Sequence, residues 1–151
     1  MSAAASAQRR TVERRVAELL TARRLMLVTA EAATAGLLSH RLTTVPGAST
    51  FFSGGIVAGH GLRWPVLDAP SDLPPTLVAQ TLRQRLPSDL TLCVGPLAAD
   101  GSSCTVALAG PGDRMHETTI TSHEPADLRR LSSLALAYLE RRIVVMEPSE
   151  P

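Results

Sequence analysis

Residues 25–42, LMLVTAEAATAGLLSHRL, constrain the fold of this chain more than any other stretch. Residues 25–29 form a short apolar run bounded by polar residues, the pattern of a strand buried on both faces. Leu37, Leu38 and Leu42 then fall at helical spacing, which predicts a helix over 34–43. Only a sharp bend separates the two, so strand and helix must pack closely. This is also the corner on which many α/β hydrolases mount a nucleophile, yet Ala32 and Ala33 at the bend carry no reactive atom.

The rest of the chain repeats the alternation. Val12, Val16, Leu19 and Leu20 make one stripe of an amphipathic helix over 8–24, with most of its arginines off that stripe. Val45-Pro46-Gly47 stops the second helix, and residues 51–58, FFSGGIVA, read as a strand interrupted by Gly54-Gly55. Residues 59–75 are rich in Gly and Pro and read as loop. Pro74-Pro75 opens a helix carrying Val78, Leu82 and Leu86. Strands are expected over 90–94, 104–109 and 115–121, the last two joined as a hairpin through GPGD. A final helix is expected from Pro125, with the apolar segment 143–146 after it, free to pack on a second subunit or on its own sheet. Strands alternating with helices and closed by a hairpin predict a three-layer α/β/α sandwich, with a mixed sheet of about five strands and about four helices. Residues 8–146 are expected to form one domain, with 1–7 a leader and 147–151 a tail.

Composition narrows the chemistry. Aromatics are 3% and hydrophobics 44% of the 151 residues, so the core must be aliphatic. The net charge of +1 supplies no field that would draw nucleic acid or an anionic membrane, and no apolar run reaches the length of a membrane span. A cytoplasmic location is the expectation. All 15 basic residues are Arg. Arginine keeps its proton in a protein, so no side chain here offers an amine as general base or Schiff-base former. Cys93 and Cys104 lie in apolar runs and read as buried thiols, with a disulfide left open. His40, His116 and His123 have no metal-ligand spacing. Neither a metal nor a cofactor is expected.

Three blocks carry a resemblance. Thr29, Ala30, Glu31, Thr34, Gly36, Leu37 and Leu38 match a motif TAESCTGGLLA. Leu42, Thr43, Val45, Pro46, Gly47, Ala48 and Ser49 match LTxVPGAS, and Gly54, Gly55 and Val57 match GGxVxY. In this order and spacing they resemble the CinA C-terminal domain, the nicotinamide mononucleotide amidohydrolase family. The resemblance implies an amidase with a Ser nucleophile activated by Lys, its oxyanion held by backbone N–H groups. It places that Ser at Ala32, the following Cys at Ala33, a Tyr at Gly59, and the Lys at Trp64, or at Arg63 if the register slips by one. The family's glycine-rich loop becomes VGPLAADGSS, with Gly95, Pro96 and Ala99 in place of Thr, Gly and Gly, and looks shortened. A late family Arg falls near Pro125, with Arg129 and Arg130 a helical turn beyond.

The expected function is therefore a CinA-like domain without its amidase residues, acting as a non-catalytic binding or protein-partner module. Partners would be a nucleotide-like small molecule, a second copy or another protein. Candidate ligand contacts are Glu31, Thr34, Gly36, Gly54, Gly55, His60 and Arg63. Glu31 and Thr34 serve equally well as helix caps, and the glycines as close-packing positions. The alternative is an amidohydrolase with relocated residues: Ser53 or Ser39 as nucleophile, His60 as base, Glu31 orienting it. Ser39 is expected on the outer face of its helix.

Overall fold

A computed structural model describes residues 10–59, 62–122 and 127–146. The expected leader and tail, His60, His123 and Pro125 lie outside the described residues.

Helix α1 is Val12–Ala22, started by Thr11, whose side chain accepts from the Arg14 N–H. Strand β1 (Leu27–Glu31) follows, then α2 (Leu37–Thr43) and β2 (Phe52–Val57). A short ribbon of β3 (Arg63–Trp64) and β4 (Ala69–Pro70) precedes α3 (Pro75–Arg85). Strands β5 (Leu90–Leu97), β6 (Ser103–Ala109) and β7 (Met115–Thr121) run in succession to α4 (Leu128–Val145).

The main sheet has five strands in the order β2-β1-β5-β6-β7. β1 pairs in parallel with β2 and β5, while β5–β6 and β6–β7 are antiparallel, so the sheet is mixed as expected. One face packs through Leu27, Leu90, Leu92, Val94, Val106 and Leu108 against α1, α2 and α4. The other face is lined by Ala30, Cys93, Ala107 and Ala109, and receives Val78, Ala79 and Leu82 of α3. The two faces thus differ in side-chain size. β1 is buried at every position, as its apolar run requires.

Three expectations change. The ribbon β3–β4 lies inside the stretch read as loop; two-residue strands leave no periodic signal. The apolar segment 143–146 is the last turn of α4: Ile143 is buried in the protein's own core, whereas Val144 and Val145 are exposed. The second helix begins at Leu37, three residues later than its apolar spacing suggests, because Ala35 (φ 53) and Gly36 (φ 96) adopt left-handed conformations in the bend.

Candidate functional site

The carboxyl ends of β1, β2 and β5 converge at the bend that follows β1. Glu31 closes β1 and is fully buried. Its carboxylate accepts four hydrogen bonds: from Thr34 Oγ1 (2.6 Å), Leu38 N (2.8 Å), Ser39 N (2.9 Å) and Ser39 Oγ (2.5 Å). A buried acceptor with four donors and the amino end of α2 before it is a side chain held in place by its surroundings. Two of the helix's otherwise unpaired amides are satisfied from within the chain.

The amides of the bend are engaged as well. Ala32 N donates to Val94 O (2.8 Å) and Ala33 N to Gly95 O (3.1 Å), fastening the bend to β5. Ala35 N donates to Ala32 O and Leu37 N to Thr34 O. The amides of Ala32 and Ala33, the two residues at the bend, are both committed to β5 and are not free to hold an oxyanion.

Ser39 departs from its expected outward position. It sits beside the buried Leu38–Leu42 stripe and reaches the sheet, where Ser39 Oγ and Thr29 Oγ1 lie 2.8 Å apart. Gly55 on β2 faces this pair: a Cβ there would stand 2.3 Å from Ser39 Oγ and 2.4 Å from Thr29 Oγ1. Gly55 is thus a close-packing position. Gly54 has open space around a Cβ, and its φ of 143 is what favours glycine there. Thr29 and Ser39 were absent from the candidate ligand set; small polar residues facing a glycine across a parallel strand pair were the signal that could have linked them.

The positions that the resemblance assigns to catalysis hold packing groups. Trp64 is 1% exposed, set among Ala30, Ala58, Val78, Ala79, Leu82, Cys93, Ala107 and Ala109, and Ala32 packs against the same cluster. The small residues on this face make room for the indole. Its Nε1 is buried and has no hydrogen-bond partner among the described residues. Arg63, by contrast, is exposed, and it bonds Asp68 Oδ1 (3.1 Å) and Asp68 O (2.5 Å) within the ribbon. At Gly59 a Cβ would meet Leu62 Cδ1 at 3.0 Å, and at Gly95 it would meet Pro75 Cγ at 2.6 Å. The start of α3 therefore sits down on the end of β5. VGPLAADGSS resolves into the end of β5 and the turn from Ala98 to Ser103, where Ala98 N donates to Ser103 O (2.7 Å).

Other candidate nucleophiles are dispersed or inert. Ser53 is exposed on β2 and makes a long bond to Pro87 O (3.4 Å). Cys93 and Cys104 are free buried thiols. Burial pushes Cys104 up to about 11 and Cys93 higher still, which leaves both protonated and unreactive. Among the described residues, no group of three or more His, Cys, Asp or Glu could hold a metal, and no helix is long and apolar enough to cross a membrane.

Comparison with known proteins agrees with this architecture. The model of the CinA C-terminal domain matches residues 9–60. A CinA-like protein of Mycolicibacterium paratuberculosis is 30% identical over 161 aligned residues, covering 85% of this chain and 35% of the relative. A CinA-like protein of Gloeobacter violaceus is 30% identical with the same coverage. The chain thus spans about a third of the length of these relatives. Among solved structures, the CinA superfamily protein from Enterobacter cloacae superposes with a TM-score of 0.70 at 18% identity, over 87% of this chain and 90% of that one. The competence or damage-inducible protein from Enterobacter asburiae gives 0.68 at 21% identity, over 89% and 99%. Motif blocks, strand order and these similarities converge: the chain belongs to the CinA superfamily, as a CinA C-terminal-like domain.

Proposed function

We propose that this domain has given up amide hydrolysis and serves as a non-catalytic binding or protein-partner module. The observation that carries the reading is Trp64. At the position where the family resemblance expects a Lys, an indole is sunk into the apolar layer under α3, in the cluster against which Ala32 packs. A methyl group cannot attack a carbonyl, and an indole cannot take a proton from a nucleophile. The amides of Ala32 and Ala33 support the same reading, since their hydrogen bonds run to β5.

Relocated catalysis has little to draw on among the described residues. Ser39 does reach Glu31, but that carboxylate also accepts from Thr34 and from two amides of α2, as a cap would. Ser53 lies on the exposed edge of β2. A partner surface has better support: Val57 and Leu62, 40% and 63% exposed, are large apolar residues near the open end of β2, which is an edge strand.

The test is ammonia release from nicotinamide mononucleotide by the purified protein. No release above the no-enzyme control is expected, and steady release would overturn the reading. Melting with and without that nucleotide, and light scattering for a second copy, then separate ligand binding from self-association.

A further inference from the structure

A second feature lies at the opposite end of the sheet from the bend after β1. Where β5 begins and β6 ends, a cavity of about 50 Å³ opens under the last turn of α4. It is lined by Leu90, Leu108, Pro111 and Met146, and by three basic side chains, Arg114, His116 and Arg142. No carboxylate lines it among the described residues.

The basic groups are held there without the partners such groups normally have. Arg142 Nη2 lies 2.9 Å from His116 Nε2 and 3.1 Å from Nδ1. The in-plane lone pairs of an imidazole diverge, so one atom near both nitrogens is laid against the ring and is not bonded in line with either. Arg142 Nε is buried with no acceptor among the described residues. Arg114 makes no side-chain ion pair or hydrogen bond among the described residues.

Neighbouring carboxylates are committed or turned away. Asp113 pairs with Arg83 (3.5 Å) and Glu140 with Arg15 (2.7 Å). Glu117 is exposed, on the strand face opposite to His116. Nor is Arg142 needed to neutralise the carboxyl end of α4. Arg23 does that, donating to Ile143 O (2.5 Å), Met146 O (2.6 Å) and Val144 O (3.4 Å).

We propose that this cavity is a binding site for a small organic carboxylate, whose head is held by Arg142, Arg114 and His116 and whose short apolar tail lies against Met146 and Val145. Planar guanidinium groups match a carboxylate with two parallel bonds, and a bound carboxylate supplies the buried Arg142 Nε with an acceptor. The cavity has room for the head and no bulky ring; the exposed Val145 at its rim takes the tail. Burial and the two arginines hold His116 below the ordinary histidine range, and an anion reverses the arginine contribution.

The experiment is an NMR titration of the whole chain with acetate, propionate and butyrate, following the His116 ring, at constant ionic strength with chloride as control. Saturable shifts with a Kd of about 1–10 mM are expected, tightening from acetate to butyrate. Arg142→Gln should weaken butyrate about tenfold, and Arg114→Gln, an exposed substitution with little bearing on folding, should also weaken it, while Arg85→Gln leaves it unchanged. Absence of saturation at about 50 mM butyrate overturns the site, as do shifts matched by chloride or unaffected by both cavity substitutions.

Discussion

At the bend after β1, single side chains decide whether a corner built for chemistry stays a corner. Glu31 supplies acceptors for two helix amides and two hydroxyls with no exposure to water. Glu31→Gln keeps the shape but turns one acceptor into a donor facing donors. It should lower unfolding free energy by about 2–3 kcal/mol, measurable by urea denaturation. Gly55→Ala drives a methyl onto Ser39 and Thr29 and should cost about 1–3 kcal/mol. Because Ser39 is one of the two atoms struck, Ser39→Ala should recover part of that loss. A double-mutant cycle reads the coupling, and strict additivity would disprove the contact. Ala35 holds a φ of 53 where the motif TAESCTGGLLA has Gly. Ala35→Gly should therefore stabilise the protein by about 1 kcal/mol.

Between elements, the telling contact is the ribbon β3–β4 against α3 and the small-residue face of the sheet. The ribbon brings Trp64 under Val78, Ala79 and Leu82, onto Ala30, Cys93 and Ala107. Trp64→Ala should cost about 3–5 kcal/mol, as emptying a core aromatic site does. Trp64→Phe removes the unpartnered indole N–H and should be far milder; a loss equal to that of Trp64→Ala would mean Nε1 has an acceptor after all. Trp64 is the chain's one tryptophan, so its emission should be blue-shifted and should move to the red only on unfolding. On the other side of the sheet, Arg41 ties three helices together. It bonds Glu13 of α1 at 2.8 Å, and Ser132 and Ser133 of α4 at 2.8 Å and 2.7 Å. No periodic pattern in the sequence announces such a tie.

Over the molecule as a whole, the two ends of the sheet have opposite electrostatic characters. The end at the bend buries a carboxylate among donors, and the other gathers Arg114, Arg142 and His116. Burial, then Arg142, then Arg114 lower the His116 value from its reference of 6.5. Between the folded and unfolded values the unfolded chain holds more protons, so stability should rise with pH across that window. The loss begins as pH falls below 6.5 and levels off under the folded value. In Arg142→Gln the His116 resonance should titrate closer to 6.5 and the acid limb of the stability curve should flatten. An unchanged titration would show that the two side chains do not interact in solution.

The amino-acid sequence alone was enough for the layer architecture, the order of the main helices and strands, and the superfamily. Those rest on local regularities: apolar periods of two and 3.6, proline and glycine stops, and motif blocks a few residues long. It was also enough to exclude lysine chemistry, since a residue that is absent needs no coordinates. Whether Glu31 and Thr34 cap a helix or await a ligand could not be read there, because both uses favour the same residue types at the same spacing. Nor could the burial of Trp64, which stands in a Gly- and Pro-rich stretch whose local pattern says loop. The inward contact of Ser39 escaped for a related reason: a small polar residue beside an apolar stripe reads as solvent-facing, and its partners Thr29 and Glu31 belong to a different element. Tertiary structure decided these points, because each depends on which atoms from distant parts of the chain compete for one space or one hydrogen bond.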